Sequence, residues 1–74
     1  MSATLVRVRI PKKDGHEERT YSVRDMSDET FASFEVWNES TLPRPMLVAG
    51  HGTREEAMAF FDYLSAEIIE TVEI

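Results

Sequence analysis

Apolar side chains recur along this chain at two spacings, and the change from one to the other divides it. From Thr4 to Ile10, Val6, Val8 and Ile10 alternate with Leu5, Arg7 and Arg9. A period of two is the pattern of a half-buried strand, and Thr, Val and Ile suit a pleated surface. Pro11 reads as the stop. Lys12-Lys13-Asp14-Gly15 reads as a turn, with Asp-Gly its tightest signal. Arg19 to Arg24 reads as a second strand, with Tyr21 and Val23 on one face and Thr20, Ser22 and Arg24 on the other. The two strands predict an antiparallel hairpin. Ser27-Asp28-Glu29-Thr30 fits either one capped helical turn into Phe31 or a wide loop. Phe34 to Trp37 predicts a third strand with Phe34 and Val36 inward, which turns Trp37 outward. Asn38 to Pro45 is polar and carries two prolines, the mark of a loop or an irregular edge. Met46-Leu47-Val48-Ala49 is short, apolar and strand-like, and Gly50-His51-Gly52 predicts its break.

The spacing then becomes helical. Ala57, Phe61, Leu64 and Ile68, flanked by Phe60, fall at intervals of four, three and four. They predict an amphipathic helix from about Thr53 to Ile69 with that stripe inward. Thr53 is a good N-cap, and Glu56 three residues on completes a capping box in which each side chain reaches the other's backbone N–H. Glu55 and Glu56 also suit the positive end of the helix dipole. Glu55, Asp62, Ala66 and Glu70 fall on the opposite face. Glu70 to Ile74, with Thr71 and Val72, fits a turn back into a last strand. The expectation is one α+β domain over residues 1–74. It has a three- to four-stranded, largely antiparallel sheet and one C-terminal helix packed on one face, in two layers.

Composition narrows the function classes. A chain of 74 residues buries only roughly 60% of the surface its unfolded form exposes, so a good core or a partner subunit must stabilise it. Homodimerisation is therefore compatible with every reading below. There is no cysteine, which removes disulfides, thiol nucleophiles and thiolate metal sites, and fits a cytoplasmic setting. The start shows no basic segment followed by an apolar stretch, so no secretion signal is predicted. No apolar run approaches the roughly 20 residues that span a membrane. Residues 1–24 carry six basic and three acidic side chains, and residues 25–74 carry two and eleven, giving +3 and −9 within the net −6. Segregation of these halves would create a negative face. Such a face disfavours nucleic acid and favours basic protein partners.

Candidate chemistry is sparse. Gly50-His51-Gly52-Thr53 precedes a helix N-terminus, where backbone N–H groups can meet an anion. Its spacing matches no phosphate loop, no lysine follows, and Glu55 and Glu56 repel a phosphate; a strand-to-helix turn is the preferred reading. His51 has a pKa suited to general base chemistry, but no serine-histidine-acid spacing accompanies it, so no catalytic residue is assigned. Two histidines are too few for a zinc site without carboxylates, and no carboxylate-rich loop suits a hard cation. Neither metal nor cofactor is expected.

Two surfaces remain. Glu55, Glu56, Asp62, Tyr63, Glu67 and Glu70 predict an acidic face with an aromatic among the charges, and Trp37 is a second candidate anchor; aromatics rimmed by charge are the composition of a protein-binding patch. Arg7, Arg9 and Arg24 share the outward parity, with Lys12 and Lys13 at the hairpin tip, and offer an alternative RNA- or DNA-binding face. Against that, Tyr21 has inward parity, and a basic sheet edge also guards against aggregation.

Gly52-Thr53-Arg54-Glu55-Glu56-Ala57, following strands and opening an apolar helix stripe, locally resembles the small sheet-and-helix domain of HicB-type antitoxins. The Asn38–Pro45 loop departs from that family's short link, and these 74 residues include no further DNA-binding segment. The resemblance implies a sheet-and-helix fold and a protein that binds and neutralises another. With the charge pattern, the reading is a small acidic, non-enzymatic protein–protein interaction module. It would act as an inhibitor or antitoxin-like adaptor, docking on a basic surface of a larger protein such as a nucleic-acid-binding one.

Overall fold

The structure is a computed structural model and describes residues 3–26, 33–41 and 43–74. The expectation for Ser27–Thr30 and Phe31 lies outside the described residues. Five strands and one helix follow in the order β1 (Ala3–Lys12), β2 (Gly15–Asp25), β3 (Phe34–Asn38), β4 (Met46–His51), α1 (Arg54–Tyr63) and β5 (Glu67–Glu73). They build one sheet, ordered β4-β3-β2-β1-β5, in which every neighbouring pair is antiparallel. The fold is α+β, with five strands where the sequence predicted three to four. β1 to β4 form a meander out to one edge. The chain then crosses the inner face as α1 and returns at the opposite edge as β5, beside β1. β4 and β5 therefore run parallel to each other, as a crossover connection requires.

The hairpin is longer than the alternation suggested. β1 runs through Pro11 to Lys12, and Lys12 pairs with Gly15 around Lys13 and Asp14. Pro11 is tolerated because β5 reaches only to the Arg9↔Glu67 pair, so at Pro11 the strand has a neighbour on one side alone. Gly15, not a central turn residue, takes the positive φ of 141°. β4 likewise continues through Gly50 to His51, which pairs with Phe34. The strand-breaking turn is thus Gly52-Thr53, one residue pair later than predicted.

Inward parity gives the core: Val6, Val8, Tyr21, Val23 and Val36 from the sheet pack against Ala57 and Phe61 from the helix. Tyr21, Phe60 and Phe61 meet edge to face, with centroids 5.4–5.9 Å apart, an arrangement that adds to simple area burial.

The two ends of α1 differ. At its start the Thr53 side chain accepts from the Glu56 backbone N–H at 3.1 Å. The predicted capping box is only half formed, because the Thr53 hydroxyl, not its backbone N–H, donates to the Glu56 carboxylate. At its end the helix stops at Tyr63, six residues short of Ile69. Ser65 turns left-handed at φ 56°. The Ser65 N–H then donates to Asp62 at 2.9 Å and the Ala66 N–H to Phe61 at 3.0 Å. This pair of bonds is a Schellman closure with serine in the place glycine usually holds. Ala66 packs back on the core, and Glu67 begins β5. Glu67, Ile68 and Glu70 are therefore strand residues; the expectations that Ile68 belongs to the helix stripe and Glu70 to its outer face are overturned. Ile69 is the extra residue of a β-bulge between the Arg7↔Glu70 and Val8↔Ile68 pairs. The bulge re-aims the strand, placing Ile68 on the same face as Val8.

Candidate protein-binding surface

A helix of 10 residues spans about 15 Å and cannot cover a five-stranded sheet. It packs mainly on β4 and β3, and on the inner face of β5 Ile68 remains partly exposed. Between α1 and β5 lies a groove of about 500 Å³ lined by Arg54, Glu55, Met58, Ala59, Asp62 and Ile68. Its floor is apolar: Ile68 is 43% exposed there, and Met58 is half-buried at the margin of the core. Glu55 and Asp62 stand on the helix wall. Neither has an ion-pair partner among the described residues. One end of the groove is fixed. Arg54 reaches from the helix start to the buried Thr4 hydroxyl at 3.0 Å and to Glu73 at 3.2 Å, and Thr4 donates to Glu73 at 3.1 Å.

The six residues predicted as one acidic face are distributed over several surfaces. Glu55 and Asp62 share the groove. Glu56 is engaged at the helix cap. Tyr63 is 85% exposed at the last turn but does not line the groove. Glu70 pairs with Arg7 at 3.5 Å, and Glu67 lies opposite Arg9, both on the far face of the sheet. The apolar floor was missed in the sequence because it depends on where the helix ends and on the bulge at Ile69.

The fold does not keep the two charge halves apart. Arg7–Glu70 and Arg24–Glu39 join the basic first third of the chain to its acidic remainder. The basic residues do not form one face either. Arg7, Arg9 and Arg24 are on the outer sheet face, whereas Lys12 shares the parity of Ile10 and Val8. Lys12 and Arg19 both pair with Glu17, and their hydrogen bonds hold its carboxyl below the usual value. Three of the five candidate nucleic-acid contacts, Arg7, Lys12 and Arg24, are thus already matched by carboxylates.

Trp37 is outward, as its parity predicted, but it is engaged. The Arg24 guanidinium lies 4.2 Å from its ring centroid, and its indole N–H donates to Glu35 at 3.0 Å. Arg24 also bonds Glu39 at 2.9 Å, and together these side chains roof Ser22, which is only 2% exposed and whose hydroxyl donates to Glu39. Burial pushes the Glu39 carboxyl up and is the largest single influence. The hydrogen bonds from Ser22 and Arg24 with the Arg24 charge outweigh it, so the group sits below its ordinary value.

His51 lies at the end of β4, and its Nε2 is buried without a hydrogen-bond partner among the described residues. Among those residues no group of three or more histidines and carboxylates is placed to hold a metal ion, and no helix is long and apolar enough to cross a membrane. No family model, curated protein or solved structure matches the chain.

Proposed function

We propose that this chain is a non-enzymatic protein-binding module that takes a basic, partly apolar segment of a larger protein into the groove between α1 and β5. The observation that carries the reading is the pairing of an open apolar floor, Ile68 with Met58 and Ala59, with the unmatched carboxylates of Glu55 and Asp62 on one wall. Apolar area supplies affinity, while the carboxylates steer a cationic partner and set its orientation. A module that covers a basic working surface in this way acts as an inhibitor or antitoxin-like adaptor, by occlusion. Association is then fast and weakens with salt.

Immobilised wild-type protein and the double variant Glu55→Gln/Asp62→Asn, which keeps the side-chain shapes, are exposed to lysate of the native host. Captured material is identified by mass spectrometry. The expected result is a basic protein held by the wild type, lost from the variant and eluted between low and physiological salt. Retention that ignores both salt and the two substitutions would sink the reading. Recovery of RNA without protein would instead support the arginine-bearing sheet face.

A further inference from the structure

We propose that the free edge of β4 is a docking site for a second copy of this chain. The two β4 strands would pair antiparallel about a two-fold axis and join two five-stranded sheets into one. The argument begins with the two edges of the sheet. An edge strand offers unpaired N–H and C=O groups and is normally blunted by charge, by proline or by a bulge, of which charge acts along the whole edge. β5 is blunted: Glu67, Glu70 and Glu73 recur along it, so two β5 edges would bring carboxylates against carboxylates. β4 has no charged residue from Met46 to His51. It exposes three consecutive apolar side chains, Met46 at 54%, Leu47 at 48% and Val48 at 38%. Consecutive exposure means that both faces of the edge are uncovered.

Charge selects the occupant. The chain is −6 overall, yet from Ser40 to Thr53 its only charged residue is Arg44. A second copy carries the same net negative charge, and the β4 edge is a nearly uncharged stretch along which two copies can meet without like-charge repulsion. A two-fold pairing places each copy's Met46–Ala49 against the same residues of the other, as an isologous contact requires. Pro43, Pro45 and the bulge at Val48 confine the pairing to a short segment. The contact is therefore small and the dimer concentration-dependent. The groove lies at the opposite sheet edge, so either site can fail without the other.

Sedimentation velocity of the intact chain, from low micromolar to millimolar concentration, tests the proposal together with amide hydrogen exchange. The expected result is a mass rising from 8.5 kDa toward twice that value, with exchange at Met46–Ala49 slowing as concentration rises. Leu47→Lys is expected to hold the protein monomeric with an unchanged circular dichroism spectrum, whereas Val72→Lys on the other edge leaves the dimer intact. A wild type that stays monomeric overturns the proposal, as does a dimer that survives Leu47→Lys or is lost in Val72→Lys. Should Leu47→Lys fail to fold, the wild-type exchange decides: slowing confined to Met46–Ala49 supports the β4 edge, and its absence refutes it.

Discussion

On the inner face of the sheet, Val6, Val8, Tyr21, Val23 and Val36 meet Ala57 and Phe61; on the outer face, Ser22, Arg24, Trp37 and Glu39 meet through charge and hydrogen bonds. The same strands serve both. The inner face is closed by a separate element, so its stabilisation scales with apolar area removed from water. Among the described residues no element covers the outer face; instead Arg24 lies across the Trp37 ring and over Ser22. Such a roof keeps water from a buried hydroxyl but contributes little net energy, because exposed ion pairs and cation–π contacts are each worth about 1 kcal/mol or less. The two faces thus differ in what should break them.

The largest expected effect is on the inner side. Phe61→Ala removes the only fully buried helix aromatic and should cost about 3–5 kcal/mol, the range for emptying a large core site. Urea denaturation would measure it, and a loss near 1 kcal/mol would mean that α1 is peripheral to the core. On the outer side, Arg24→Ala should cost about 1 kcal/mol, and that difference should shrink with added salt. It should also depend on pH. The Glu39 carboxyl is lowered in the folded protein from an ordinary 4.5, so its contribution is present above that value and fades as pH falls through the lowered one. Denaturation curves of both proteins at neutral pH and at acid pH would reveal this; equal losses at both would detach the roof from Glu39. The smallest effect lies between the faces, where α1 ends. Ser65→Gly should stabilise by about 0.5 kcal/mol, relief of left-handed strain being partly offset by glycine's freedom in the unfolded chain. A thermal shift downward would show that the serine side chain has a role beyond its backbone angle.

Much of the inner face was legible because strand parity is local. Val6, Val8, Tyr21, Val23 and Val36 could be assigned from alternation alone, and Ala57 and Phe61 from helical spacing. The start of the helix was legible through Thr53 and Glu56. Its end was not, because Ser65 adopts a conformation that glycine normally announces, and Ile68 continued the stripe by coincidence of spacing. That one missed turn gave the first residues of β5, Glu67 to Ile69, to the helix and hid the groove, although Glu70–Ile74 had the pattern of a last strand. The outer network was missed for another reason: Arg24 and Glu39 are brought together only by the pairing of β2 and β3, and side-chain types alone do not reveal which charges cancel.

The placement of β5 beside β1 has a kinetic consequence. Among β1 to β4 every pairing joins strands consecutive in sequence, whereas the Thr4↔Glu73 and Leu5↔Val72 pairs of β1 with β5 join opposite ends of the described chain. Ring closure over such a span is slow compared with local pairing. The meander can therefore form first, and β1, the neighbour of the latest strand, stays an open edge until the helix has crossed. Docking of β5 brings Ile68 to the floor of the groove, so the proposed binding surface comes into being only when the whole fold is complete.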